Sequence, residues 1–466
     1  MATVSDAVPA TPASWTGGGA TRGWALVVLA IALLGVLAAW QPALLQGVVG
    51  GGLLGAAICF AVFLCARARP ETRVLRRVIG WGIALRAFFA VVHLVVALWF
   101  YGGMTDLGTY LYVVDQMYDR LANWQSPLAA LKEGYQTIGN GCVIVFLTMV
   151  SLVTGPTLWS FFIVSAAISL AGAYLYVRAF QRAFPDAEGE RFFVYVMFFM
   201  PAVCFWSVYA GKDFLAFFLM GWTTYATAGL LKRFNAADAL GLALSTAALT
   251  LLRAHIAIPV VLAIALCFVF HTLRDPKVPF VVKPLLLAVI GYVAIKAIGI
   301  GIAEMGFKEF SVEALAEQAE FVQRGFAGTT SARTSLPLAI AEPTPAGVLK
   351  FLPIGIFTLL FRPSLSEAHN ALALASASEN LLLLGMVVWR ARRLGRSVVA
   401  VFRQPFLLYC VIALFATAAV LSISWNLGTM ARHKTMVMPF VMMLLAGTRP
   451  RSAPVSEEAN AHEAGS

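Results

Sequence analysis

The chain has 466 residues, 60% of them hydrophobic and 12% charged, where soluble proteins carry about a quarter charged residues. That balance excludes a water-soluble core. The formal net charge of +11 does not mark a nucleic-acid binder, because the lysines and arginines fall in short clusters between apolar runs, as cytoplasmic loops do under the positive-inside rule. An all-α polytopic membrane protein follows, since backbone groups in lipid must be satisfied within the segment and the strict alternation of a membrane barrel is absent.

In chain order, residues 1–21 are polar and rich in Gly, Ala and Thr, without a convincing cleavable signal, and read as a disordered cytoplasmic tail. Residues 22–448 read as one transmembrane domain, and 449–466 as a second disordered cytoplasmic tail. Runs at 24–40 and 47–66 form a hairpin returning inward, because Arg67, Arg69, Arg73, Arg76 and Arg77 place the next loop inside. The run 78–101 then leads outward into an external loop, 102–139, holding Asp106, Asp115, Asp119 and Glu133. Later basic clusters at Arg178, Arg182 and Arg191, Lys232 and Arg233, Arg274 and Lys277, 390–396, and Arg449 and Arg451 mark further inside loops. Spans are expected near 157–178, 192–209, 213–231, 238–252, 256–272, 279–302, 371–389, 404–424 and 433–448, about twelve crossings in all. Two apolar pieces, 140–155 and 346–361, are short for full spans, and the second carries Lys350, Pro353 and Gly355. They read as re-entrant or in-plane helices. The external loop 303–345 has room for a short amphipathic helix near 312–322 and a polar stretch at 329–335. Cys59, Cys65, Cys142, Cys204, Cys267 and Cys410 stand singly in apolar runs and read as packing residues.

This topology gathers ionisable residues at one face. Asp106, Lys212, Asp213, Arg253, His255, Arg333, Arg362, Glu367, His369, Arg432, His433 and Lys434 all fall at or near the external side, and such groups at membrane depth mark a functional cavity by default. Interfacial snorkelling is the plainer account for any one of them.

Five segments carry candidate chemistry. In 104–110, Asp106 reads either as a base accepting a hydroxyl proton or as a helix N-cap. In 201–213, Lys212 can hold a phosphate as a point charge and Asp213 can orient it or hold a metal; a salt-bridged turn is the alternative. In 252–255, a tight turn between spans, Arg253 offers bidentate phosphate geometry or an interfacial cap. The island 361–370 holds Arg362, Glu367 and His369, with Glu379 and Asn380 following at a depth that demands a partner. The last segment, 432–434, opens the final span with cations suited to an anionic headgroup. The string Gly50-Gly51-Gly52-Leu53-Leu54-Gly55 matches a dinucleotide fingerprint but lies inside an apolar helix, where close helix packing explains it.

These segments together resemble bacterial multi-spanning proteins of the GT-C glycosyltransferase type, over about residues 79–448. The resemblance implies a GT-C-like bundle and a polyprenyl-phosphate-linked sugar as donor. It implies a catalytic base at Asp106 and lipid-phosphate binding by Lys212, Arg253, His255 and Arg432. Asp213, Arg362, Glu367 and His369 are assigned to an acceptor pocket or a metal. The paired acidic residues frequent in that first loop are missing, since Leu107 follows Asp106, so no cofactor is assigned and a divalent metal stays open. The expected reaction moves a sugar to a glycan, lipid or protein acceptor at the external face of a bacterial-type plasma membrane, in cell-envelope glycan synthesis. A lipid-linked polysaccharide polymerase or ligase and a flippase or transporter for lipid-linked glycans are the alternatives.

Overall fold

The computed structural model describes residues 42–67, 73–100, 106–126, 138–185, 187–276, 278–304, 345–422 and 427–447. The first expected span at 24–40, both tails and Arg333 lie outside them. Every regular element among the described residues is helical: α1 (Pro42–Arg67), α2 (Arg73–Val95, continued by a π turn, Val96–Phe100), α3 (Asp106–Ala122), α4 (Ile138–Thr154), α5 (Leu158–Ala183), α6 (Glu190–Phe199), α7 (Pro201–Ser207), α8 (Asp213–Leu230), α9 (Ala236–Arg274), α10 (Lys283–Glu304), α11 (Pro345–Phe361), a 3-10 turn (Leu365–Glu367), α12 (Ala371–Trp389), α13 (Ala391–Ala400), α14 (Pro405–Leu421) and α15 (Leu427–Ala446). Among the described residues, six helices are long and apolar enough to cross a membrane, or up to eight if the bent pairs α6–α7 (48°) and α13–α14 (112°) each form one span.

Small residues and caps set the packing. Gly47, Gly51 and Gly55, one turn apart on α1, lie against Thr157, Ser160 and Ile163, so α1 and α5 run parallel in close contact. Thr157 starts α5 by accepting from the Ser160 backbone N–H, and Asn235 and Asn370 cap α9 and α12 in the same way. The break between α6 and α7 falls at Pro201, which has no N–H to donate. There Arg86, fully buried on α2, donates to Ser169 Oγ at 3.0 Å and to the carbonyls of Phe198 and Met197 at 3.4 and 3.2 Å. It satisfies acceptors that the helix end leaves open.

α8 lies at the centre. It runs parallel to α5, with Phe218 beside Gly172, Gly221 beside Tyr176 and the Tyr225 carbonyl bonded to Arg182. Its polar residues are turned inward: Thr223 donates to Ser245 at 2.9 Å and Thr224 meets the Tyr409 hydroxyl at 3.0 Å. Neighbours that shield it from lipid let it carry threonines that a lipid-facing span would not tolerate.

Helix α9 is 39 residues long, with non-helical backbone at Arg253 (φ −149°, ψ 79°). A straight helix would put its ends about 57 Å apart at 1.5 Å per residue. Instead both ends sit at one end of the bundle. Asp238 pairs with Arg182 at 2.8 Å, while Cys267 meets the Pro405 carbonyl at 3.0 Å, and Phe406 packs on Phe184 with ring centroids 5.8 Å apart. The chain therefore reverses at Arg253, within the 252–255 turn expected from the sequence.

The two short apolar helices, α4 and α11, each join different depths. A Cβ on Gly139, in the first turn of α4, would lie 2.6 Å from the Leu252 carbonyl and 3.2 Å from Lys212 Nζ, whereas Thr154 at its end packs on Gly50 beside the start of α5. α11 passes Ser422 at Gly355 and ends where the Pro363 carbonyl accepts from Asn380 at 2.9 Å.

Candidate functional site

The reversal at Arg253, the start of α8 and the second turn of α15 meet at one point. Asp213 is fully buried as the first residue of α8. Its Oδ1 accepts from Arg253 Nη2 at 2.8 Å, and its Oδ2 accepts from Arg432 Nε. One carboxylate thus bridges two guanidinium groups, and both its oxygens are engaged. Arg432 also lies over the Tyr209 ring, 4.7 Å from its centroid. His255 and His433 face each other at 6.4 Å, and Arg253 and Lys212 are electrostatic neighbours of His255.

Depth follows from the helix register. Asp213 precedes Phe218 by five residues, which sets it level with about the tenth residue of α5, roughly 13 Å below that helix's first residue at 1.5 Å per residue. The cluster is therefore recessed. Lys212, His255, Arg432 and His433 are half-buried, while Arg253 and Asp213 are buried behind them.

Lys212, Arg253 and Arg432 oppose Asp213, three cations to one carboxylate among the described side chains. Arg253 uses Nη2 on Asp213, but its buried Nε and Nη1 have no hydrogen-bond partner, and neither has the buried Nδ1 of His433. Buried donors are satisfied in the great majority of cases, and an unpaired buried charge is expensive. Orphaned donors on a cationic cluster are the chemistry of an oxyanion site, which Arg suits by its fork of donors.

The external loop helix approaches the same point. α3 begins at Asp106, and one turn on Tyr110 donates to Asn140 Oδ1 on α4 at 3.0 Å and is an electrostatic neighbour of Arg253. On the opposite flank His93 hydrogen-bonds through Nε2 with the Phe205 carbonyl at 2.8 Å and stacks on the Phe205 ring at 3.8 Å.

The structure thus brings together Lys212, Asp213, Arg253, His255 and Arg432, and starts α3 nearby at Asp106. It sets Arg362, Glu367 and His369 in a separate turn. There the Arg362 side chain binds both carboxylate oxygens of Glu367, and Glu367 also accepts from the Ser364 backbone N–H at 2.8 Å and the Ser364 hydroxyl at 2.9 Å. The hydrogen bond from Arg362, with those from Ser364, holds the Glu367 carboxyl down at about 2. His369 lies exposed beyond this turn. Asp213 belongs to the arginine cluster and not with these three. A bridge of buried polar groups joins the two places: Asn380 donates to Pro363 O and accepts from Lys434, two residues after Arg432. Glu379 finds the partner its depth demanded in the Ala202 backbone N–H, 2.7 Å away at the start of α7.

Among the described residues no three His, Cys, Asp or Glu side chains gather closely enough to hold a metal. Three contributors escaped the sequence reading: Asn140, His93 and Arg86. The signal for the last two was present, since each is an ionisable residue in the middle of an apolar run; Asn140 had none beyond its polarity. No protein-family model, curated protein or solved structure matches this chain.

Proposed function

We propose that this chain is a GT-C-like membrane glycosyltransferase that moves a sugar from a polyprenyl-phosphate carrier to a glycan, lipid or protein acceptor at the external face of a bacterial-type plasma membrane, in cell-envelope glycan synthesis. One observation carries the reading: a recessed cluster in which Asp213 bridges Arg253 and Arg432 beside Lys212, with Arg253 Nε and Nη1 and His433 Nδ1 lacking hydrogen-bond partners among the described residues. A lipid-linked phosphate supplies acceptors for the orphaned Arg253 donors, and the depth of the cluster suits a headgroup that enters from the bilayer.

In this reading the chain crosses about twelve times. Residues 24–40 make one crossing, the two arms of α9 make two, the pair α6–α7 makes one, and α4 and α11 enter only partway. Asp106 takes the proton of the acceptor hydroxyl. The hydroxyl oxygen bonds to the anomeric carbon as the bond from that carbon to the phosphate oxygen breaks, and the electron pair leaves with the phosphate. Lys212, Arg253, His255 and Arg432 stabilise the charge that builds on the departing polyprenyl phosphate, and Asp213 fixes the two guanidinium groups. The turn holding Arg362, Glu367 and His369 is assigned to the acceptor side.

The test is transfer of radiolabelled sugar from a polyprenyl-phosphate donor in membranes carrying wild type, Asp106→Ala or Arg253→Gln at matched expression. A loss of about 10²–10⁴ in Asp106→Ala is expected of a missing base. Wild-type membranes that transfer nothing from any donor tried overturn the reading. An active Asp106→Asn would shift the chemistry to a polymerase or ligase, and movement of a fluorescent lipid-linked glycan without chemical change would replace the enzyme with a flippase.

A further inference from the structure

At the other end of the bundle from the arginine cluster, α13 connects α12 to α14. It turns 112° from α14, so if α14 crosses the bilayer, α13 lies nearly along its surface. Its inner face is tied down. Ser397 donates to the Leu444 carbonyl at 2.9 Å, Arg393 reaches the Ala446 carbonyl at 3.5 Å and pairs with Glu188 at 3.4 Å. These contacts close the last turn of α15, whose final carbonyls have no partner within the helix.

The outer face is different. Arg392, Arg396 and Arg403 line one shallow groove with Gly395, Val399 and Ala400. All three arginines are exposed, and among the described residues none of them forms an ion pair. Spacings of four and seven residues put them on one side of the helix and its extension. Val399 in that groove is 76% exposed, and Trp389 and Phe402, just before and just after the helix, are 73% and 64% exposed. A helix in water would not present such side chains, whereas one lying in a headgroup layer sinks its apolar side chains into the acyl boundary and keeps its basic side chains at phosphate level.

We propose that α13 is an in-plane lipid-binding helix whose Arg392–Arg396–Arg403 groove holds the phosphate of anionic phospholipids in the leaflet at that end of the bundle. The inference stands apart from the glycosyl-transfer reading, since it uses no residue of that site. Charge complementarity selects the occupant. A zwitterionic lipid offers its phosphate with a compensating cation, while an anionic one leaves its charge for the arginines, an advantage of about fivefold per basic residue near the surface.

The experiment is native mass spectrometry of the full chain, purified from bilayers of equal phosphatidylglycerol and phosphatidylcholine, on wild type and on Arg392→Gln/Arg396→Gln/Arg403→Gln. Wild type is expected to retain phosphatidylglycerol over phosphatidylcholine by at least about tenfold, from two or more arginine contacts, and the triple variant to retain the two nearly equally. Equal retention by wild type overturns the proposal without recourse to any variant, as does an unchanged preference in the triple variant. Should the triple variant not fold, the Lys triple, which keeps the charge, and each single Gln variant are compared instead; a preference that none of the single changes reduces is equally fatal. Inorganic phosphate added in excess is expected not to displace the lipid, and its doing so would make the groove a free-anion site.

Discussion

Removing Asp213 tests whether the arginine cluster is built around one carboxylate. Breaking a buried ion pair by deleting one partner costs about 3–5 kcal/mol, because the other charge stays buried and unpaired. Asp213 is fully buried and serves two partners, of which Arg253 has 5% of its side chain exposed and Arg432 21%. Arg253 counts in full, and Arg432 is discounted for the water that still reaches it. Asp213→Ala is therefore expected to destabilise by about 4 kcal/mol. A second change, Arg253→Met, removes the stranded charge, so Asp213→Ala/Arg253→Met is expected to lose less than the two single changes summed, by about 2 kcal/mol. Far-UV circular dichroism of the purified proteins in one detergent, melted at one scan rate, reads both quantities as shifts in apparent Tm. An Asp213→Ala protein within about 0.5 kcal/mol of wild type, as for an unremarkable surface position, or a double variant equal to the sum, would show that the bridge does not hold the reversal of α9 in place.

Three further outcomes follow from the packing and the polar turn. Arg86→Met strands the Met197 carbonyl and is expected to cost about 3 kcal/mol, seen as a lower melting temperature, with the Phe198 carbonyl partly kept by Cys204 Sγ at 3.1 Å. A Cβ on Gly51 would sit 2.7 Å from Ser160 Cα, while one on Gly52 meets nothing within 4 Å; Gly51→Ala should lose about 1–3 kcal/mol by overpacking and Gly52→Ala should gain up to about 1 kcal/mol from helix propensity, with equal effects in the same melt refuting the α1–α5 interface. Glu367, outside the long apolar helices, has its carboxyl lowered from 4.5 to about 2, mainly by the Arg362 hydrogen bond. A depressed acid stabilises above its unfolded value and loses that stabilisation as pH falls through the folded one, so Glu367→Gln should melt lower than wild type at neutral pH, with the gap closing between pH 4.5 and 2.

Much of the membrane architecture was legible because lipid leaves a chain few options: apolar length and basic loops mark candidate spans without knowledge of packing. Residues 252–255 could be read as a turn because arginine and histidine interrupt an apolar run. What could not be read was distance across the bundle. Asp213 and Arg362 both fall at the same face in a topology drawing, yet α8 carries Asp213 to Arg253 and Arg432, while Arg362 closes on Glu367 five residues away. The second pairing is local yet went unread, with both residues assigned to an acceptor pocket or a metal, and the first joins partners 40 and 219 residues distant, on which spacing is silent. α8 illustrates the converse: 213–231 is expected as a span like the others, and only its central position explains why its buried threonine hydroxyls are tolerated.

The arginine cluster also distinguishes a structural salt bridge from a site by counting donors. Arg362 and Glu367 satisfy one another, with Ser364 completing the carboxylate, so that turn is explained by its own contacts. Arg86 likewise spends its donors on Ser169 and two carbonyls. Arg253, far more buried than Arg362 and nearly as buried as Arg86, binds one carboxylate oxygen, yet among the described residues its Nε and Nη1 have no partner beside a second guanidinium and a lysine. Folding alone gives no reason to leave donors of a buried arginine unspent beside a carboxylate when replacing a buried ion pair by apolar residues is often neutral or stabilising. An oxyanion entering between Arg253, Arg432 and His433 would give the orphaned atoms a partner, and for that reason the cluster at the reversal of α9 is where the lipid phosphate should be sought, with the polar island at 361–370 left to the acceptor.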